Sequence, residues 1–387
     1  MTKNLIYPKI TNLHLFYIKI LSEIYSTKEI AMQATTSEFH IPVKRAHQSR
    51  LGEVDWNNIE LGTYTSDHML VCDYSNGRWQ KPEIVPVGPF LLSPTTLALH
   101  YGQTIFEGLK AFRTEDGRVQ IFRPNRHYER LVRTTERMCM PTPTAELWTE
   151  GLRQLVEIDK AWVPGEPGTS LYIRPMMFAT GTKLTVRVSD SYRFAILCLP
   201  AGAYFGRPLK VKVEREYVRA VRGGTGFAKC GGNYGGAFYP TQQAKADGYD
   251  QVIWTDGLEH RYLEEMGMMN LFCVINGSLL TPPLGDTLLD GITRDSLLTI
   301  ALDAGLTVEE RRITVDELRE GLERRSVEEV FGAGTAAVVA PIETIGIDGI
   351  IYSLSNSGRV ASFLKQELDA IRYGRKLDKY GWNNYID

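Results

Sequence analysis

From about residue 67 onward the chain alternates short β-like runs with helical ones, and this alternation restricts it to a mixed α/β architecture. HMLVCDY, LKAFRT and VQIF read as strands, NRHYERLVRTTERMC and ELWTEGLRQLVEIDKAWV as helices, and SLYIRPMMF and YRFAILCL as strands again. Beyond them LKVKVEREYV alternates strictly, DQVIWTD and NLFCVI are strand-like, and ITRDSLLTIALDAG, VDELREGLERRS and SGRVASFLKQELDAIRYG are helical. A chain of 387 residues exceeds one ordinary core, so two domains with a cleft between them are expected. The turn-forming stretch LPAGAYFGRP is the candidate connection. It divides the chain into an extension, 1–50, expected to be poorly ordered at its start, a smaller α/β domain, 51–204, and a larger one, 205–387.

Charged residues make up 23% of the chain and nearly cancel at a net charge of -2, which gives no reason to expect nucleic acid or an anionic membrane as partner. No stretch approaches the run of about 20 apolar residues that a spanning helix requires. Cys72, Cys139, Cys198, Cys230 and Cys273 are scattered, odd in number and without a CxxC pair, so neither a disulfide framework nor a metal site is expected. A reducing, cytoplasmic setting fits this usage. The first 31 residues contain Lys but no Arg, and Lys19 and Glu23 interrupt their apolar character, which argues against both a mitochondrial and a secretory leader. The expectation is an appended segment, with the functional chain starting near Met32.

The densest local signal is RGGTGFAKCGGNYGG, residues 222–236, in which Lys229 stands among glycines. Glycine at this density marks either close backbone approach to a ligand or a flexible surface loop with a solvated lysine, and spacing does not separate the two. A lysine in the first situation can be a Schiff-base nucleophile. That chemistry also needs an acid facing a pyridine nitrogen, a hydrogen-bond donor to a ring oxygen and a cradle for a phosphate. Tyr234 follows Lys229 in the same segment, Glu264 and Glu265 lead into an apolar strand, and Asp290-Gly291-Ile292-Thr293 opens a helix whose amides could bind an anion. Each has a plainer reading: Tyr234 as packing, the two glutamates as a solvated turn, Asp290 as an N-cap. GAGTAA, residues 332–337, fits a dinucleotide fingerprint, but the required helix is not expected from the β-branched run that follows, broken by Pro341.

Taken in order, LHYGQTIFEGLKAF, IFRPNRHYERL, SLYIRP, GAYF, GGTGFAKCGGNY, EEMGMMN, GITRDSL and EVFGAGTAAVV resemble the branched-chain aminotransferases, which are class IV (fold type IV) enzymes of pyridoxal 5'-phosphate (PLP). The resemblance runs from about Leu61 to the C-terminus. It implies a two-domain α/β fold with the cofactor in the interdomain cleft and a PLP-binding second domain. It also implies transamination of leucine, isoleucine and valine with 2-oxoglutarate. Lys229 matches the Schiff-base lysine and proton shuttle, Tyr234 the donor to the ring oxygen, and Glu265 the carboxylate at the pyridine nitrogen. Arg130, the backbone of Ile292 and Thr293, and Thr335 match the remaining cofactor contacts. For the substrate, the resemblance assigns the α-carboxylate to Tyr101 and the amides of Thr335 and Ala336, and the second carboxylate of glutamate to Arg174. Phe106, Tyr64, Tyr172 and Tyr204 match an apolar side-chain pocket. Leu184 and Val186 match a loop contributed by the partner of a homodimer.

Two departures stand out: Met268 where relatives often carry Thr or Gly, and Asp290 where Pro is usual, from which slightly more loop freedom is expected. D-amino-acid transaminase and aminodeoxychorismate lyase are alternatives within the same fold, and neither is known for EGLKAF, YIRP and GGNY together. A Rossmann-type nucleotide binder and a catalytically silent scaffold are alternatives of other classes, the latter opposed by Lys229, Tyr234, Glu265 and Arg130.

Overall fold

A computed structural model describes residues 39–202, 206–354 and 358–386. The expectations for the first 31 residues, the start near Met32 and Tyr204 lie outside them. Ile41 to the C-terminus forms one compact unit.

The first sheet collects β1 (His68–Ser75), β2 (Arg78–Trp79), β3 (Glu83–Pro86), β4 (Thr104–Phe106), β5 (Leu109–Arg113), β6 (Val119–Phe122), β7 (Ser170–Ala179) and β8 (Tyr192–Ala201). All its pairings are antiparallel, in the order β6-β5-β7-β8-β1-β2, with β3 on β1 and β4 on β7. Three helices accompany it: α1 (Leu97–Tyr101), α2 (Pro124–Arg137) and α3 (Ala145–Ile158). Proline at the first position of α2 removes an amide that would have had no partner there, and His127, Arg130, Leu131 and Thr134 form the buried face. Thr144 caps α3 by accepting from Leu147 N. That helix ends at Ile158, short of the expected stretch, because Asp159 turns inward to take both the amide and the ring of His68.

The second sheet holds β9 (Leu209–Val213), β10 (Gln251–Thr255), β11 (Leu263–Met266), β12 (Met269–Ile275), β13 (Ser278–Thr281), β14 (Val308–Glu310), β15 (Val327–Gly334), β16 (Val338–Ile347) and β17 (Ile350–Ser353). Its helices are α4 (Gly232–Gly235), α5 (Phe238–Ala246), α6 (Ile292–Asp303), α7 (Val315–Glu323) and α8 (Arg359–Arg372). The order β11-β10-β9-β16-β15-β12 closes on itself through the β11–β12 hairpin, where Gly267 takes a φ of 54° at the turn. Closure leaves these strands without an open edge and surrounds an aliphatic core that includes Val211, Ile253, Leu271 and Ile345. On the outer face α6 and α8 cover a second core, in which Phe272 and Phe331 stack as a cross-strand pair at 5.1 Å, a contact worth about 0.5–1.5 kcal/mol beyond its buried area. The last strand, β18 (Asn383–Ile386), returns to the first sheet and pairs with β6.

The alternation in LKVKVEREYV predicts a longer strand than forms. β9 stops at Val213 because the Glu214 carboxylate accepts from its own downstream amides, Glu216 N and Tyr217 N, and turns the chain. GAGTAA joins β15 directly to β16 with no helix, as expected, which removes the dinucleotide fingerprint.

Candidate active site

The glycine-rich segment bridges the two sheets. Gly231 N donates to Thr104 O, Phe106 N donates to Lys229 O, and Lys229 N donates to Thr134 Oγ1 on α2. Asn233 pins the segment to itself through Thr225 and Ala228. A Cβ on Gly231 would lie 2.5 Å from Thr104 Oγ1, so glycine there permits the close approach to β4. Of the two readings left open by spacing, the flexible surface loop does not describe this segment.

One cavity of about 450 Å3 lies against this bridge, lined from the first sheet by Phe106, Tyr172 and Arg174 and from the second by Met269, Asn270, Ala333 and Gly334. Lys229 Nζ donates to Tyr234 Oη at 2.8 Å and stands 4.8 Å from the Phe106 ring centroid. Arg130, Ile292, Thr293, Thr335 and Ala336 complete the expected residues that line this space. Glu265 stands behind the lining, not in it, and accepts from Leu289 N at 2.6 Å. Glu264 and Glu265 are both buried, so the solvated-turn reading fails. Burial pushes the Glu265 carboxyl up, against the pull of the Arg219 guanidinium 3.2 Å away.

Tyr64 and Tyr101 do not line the cavity. The Tyr64 hydroxyl lies 3.4 Å from Asp55 N, and Tyr101, at the end of α1, is exposed, as are Leu184 and Val186. Met268 lines the cavity and is partly exposed. Asp290 neither caps α6, whose N-cap is Gly291, nor loosens its approach. Its carboxylate takes Arg133 at 2.6 Å and its carbonyl takes Arg130 at 3.0 Å, which ties the segment down.

Sequence reasoning missed the partners that fix these groups. Glu107, fully buried, accepts from Arg130 Nε at 2.7 Å and Nη2 at 2.8 Å, and from His127 Nδ1 at 2.8 Å. Burial pushes the Glu107 carboxyl up, but Arg130 outweighs it and holds the group well below the usual carboxylate range. Burial pushes His127 down to about 4, so at neutral pH its ring is uncharged and donates to Glu107. The usable signal was His127 and Arg130 at i, i+3 on one helix face, which predicts a shared partner.

These donors fit PLP. An anion at the start of α6 would meet amides that have no partner within their helix, together with the Arg130 guanidinium. A Cβ on Gly291 would overlap Asn270 Oδ1, so the helix starts as close to β12 as a glycine allows. Lys229 supplies a primary amine and Glu265 a buried carboxylate beside the same space. Among the described residues no cluster of His, Cys, Asp or Glu is grouped to hold a metal ion, and no helix is long and apolar enough to cross a membrane.

The model of the class IV amino-transferases matches residues 104–345. The chain is 45% identical over 335 residues to branched-chain-amino-acid transaminase 1 of Bacillus subtilis, covering 85% of this chain and 94% of that one. The branched-chain aminotransferase of Thermoproteus uzoniensis, solved with norvaline, superposes with a TM-score of 0.69 at 27% identity, over 83% of this chain and all of that one. The branched-chain amino acid aminotransferase of T.th., solved with N-(5'-phosphopyridoxyl)-L-glutamate, superposes with a TM-score of 0.66 at 26% identity, over 85% of this chain and all of that one.

Proposed function

The chain belongs to the class IV aminotransferases, within the branched-chain aminotransferases of fold type IV, and on that basis we propose that it exchanges amino groups between branched-chain L-amino acids and 2-oxoglutarate. The supporting observation is that a single cavity brings together the Lys229 amine, the Tyr234 hydroxyl, Arg130 and the N-terminus of α6. Similarity over 94% of the length of a branched-chain transaminase favours this reading over the D-amino-acid transaminase and aminodeoxychorismate lyase alternatives.

PLP is the cofactor, and when bound it supplies an electron sink for the negative charge that develops at the substrate Cα. Lys229 holds it. Arg130, clamped by Glu107, keeps an N–H on each terminal nitrogen for the phosphate, beside the Ile292 and Thr293 amides and Thr335. From behind the lining, the negative charge of Glu265 would favour the protonated form of the ring nitrogen. Tyr234 would donate to the ring oxygen. Once the substrate has taken its place, Lys229 Nζ is the base that removes the proton from the substrate Cα. Nearby Tyr234 Oη fixes its position.

Thr335 and Ala336 receive the α-carboxylate through their amides. Phe106 and Tyr172 give the side-chain pocket its apolar walls; the family motifs assign Tyr204 to them as well, whereas Tyr64 stands away from the cavity. Arg174 lies across both, 4.6 Å from the Phe106 centroid and 2.9 Å from Tyr172 Oη, with its Nε buried and without an acceptor among the described residues. Such a cation can rest on the aromatic walls while an aliphatic chain occupies the pocket and still meet a second carboxylate. Arg174→Ala is expected to lower kcat/KM for 2-oxoglutarate about 10- to 100-fold, the worth of a hydrogen-bonded charge pair, and to affect leucine far less. Paired kinetic assays with the two substrates check this, and equal losses would contradict it.

The exposed Tyr101, Leu184 and Val186 suit a homodimer in which they approach the partner's cavity, with Leu99 and Val188 adding apolar area. A cytoplasmic enzyme of branched-chain amino-acid biosynthesis accords with this reading. Within the one compact unit, the two sheets suit the two domains expected from the sequence, divided near residue 205, with β18 pairing back to β6 of the first.

A further inference from the structure

Lys110 takes no part in the chemistry above. It sits on β5, is 6% exposed, and is the register partner of Tyr172 on β7, so the two side chains share the face that looks toward the cavity. Its Nζ donates to Ala336 O at 3.1 Å, across 226 residues of sequence. The charged groups facing it are Arg372, Asp369 and Lys365, all on α8, and the Asp369 carboxylate is already taken by Lys365 at 2.6 Å. Burial, and then Arg372, push the Lys110 ammonium down to about 7. Keeping an ammonium there costs folding stability.

The turn that it grips is strained. Val338, β-branched, has a φ of 62°, a conformation that persists only where surrounding contacts enforce it. If the peptide after Ala336 turned over, its carbonyl oxygen would face a bound carboxylate and repel it. The Lys110 amine behind the turn draws that oxygen backward through its hydrogen bond, and in its protonated form adds positive potential on the side where the carboxylate binds.

We propose that Lys110 is a positioning residue for the substrate: by holding the Ala336 carbonyl, it fixes the peptide that follows Ala336 and so restrains the turn whose Thr335 and Ala336 amides are assigned above to the α-carboxylate. This rests on the assignment of those amides given above. The test uses holoenzyme of the wild type, Lys110→Met, Lys110→Gln and Lys110→Arg. The probe is 4-methylpentanoic acid, which has leucine's carbon skeleton without the amino group, titrated against the visible absorbance of the bound cofactor. Lys110→Met is expected to bind the acid about 10- to 100-fold more weakly and to raise KM for leucine and glutamate alike, with kcat little changed. Lys110→Gln, a neutral donor, should fall between, and Lys110→Arg should recover most of the affinity. Wild-type affinity in Lys110→Met or, if that protein does not fold, in Lys110→Gln overturns the proposal. So does a Lys110→Arg protein that binds the acid no better than the neutral variants. Wild-type protein that carries the absorbance band yet binds no acid would instead contradict the functional reading.

Discussion

Lys229→Ala is expected to lose the visible absorbance of the cofactor and at least about 10³- to 10⁴-fold in kcat, because the proposed function gives one side chain both the cofactor's attachment and the role of base at the substrate Cα. Stability should change little, since Lys229 is only partly buried and its amine gives its hydrogen bond to the neighbouring Tyr234. The backbone bonds of the segment, to Thr134, Phe106 and Thr104, do not depend on the side chain. Absorbance spectra and steady-state rates with L-leucine and 2-oxoglutarate check the prediction. A variant that keeps the band and turns over at a tenth of the wild-type rate (order of magnitude) would show that another group acts at Cα.

The second large effect is at Glu107. Glu107→Ala removes the partner of a buried guanidinium and leaves Arg130 uncompensated, which costs about 3–5 kcal/mol. A lower denaturation midpoint and weaker cofactor retention should appear together, because the same carboxylate holds Arg130 toward the start of α6. The network also sets an acid limit in the wild type. Glu107 is held below the usual carboxylate range when folded, so its stabilisation is complete above that range and is lost as pH falls through the folded value. His127, at about 4 when folded against roughly 6.5 when unfolded, makes stability decline as pH drops across that interval. Denaturation midpoints measured from neutral pH down to about pH 4 should fall steadily and without a plateau. A Glu107→Ala protein as stable as the wild type would show that Arg130 finds another partner.

Much of the architecture was legible because period and punctuation agreed. The strand runs from His68 to Ala201, the helix after Pro124 and the helix opening at Gly291 all form within a few residues of where their patterns place them. α7 forms within VDELREGLERRS, and Thr314 caps it by accepting from Glu317 N. The failures share a cause. Glu214 ended a strand whose alternation continued, because its side chain competes for amides two and three residues on, a preference no periodicity encodes. The return of β18 to β6 and the closure of the second sheet by β11 on β12 are tertiary choices. The site divides in the same way. Lys229 and Tyr234 lie in one segment and could be read together, whereas Glu107 lies 23 residues from Arg130 and Lys110 226 residues from Ala336. Arg219 meets Glu265 only because β9 is parallel to β10, which brings the chain after one strand to the hairpin that follows the other.

Borohydride reduction of the purified holoenzyme, followed by proteolysis and mass spectrometry, reads the attachment site of the cofactor itself. A phosphopyridoxyl group on Lys229 is expected, together with loss of that label when excess L-leucine is added before reduction. A label on any other lysine, or one on Lys229 that L-leucine leaves untouched, would contradict the assignment of Lys229 as both anchor and base.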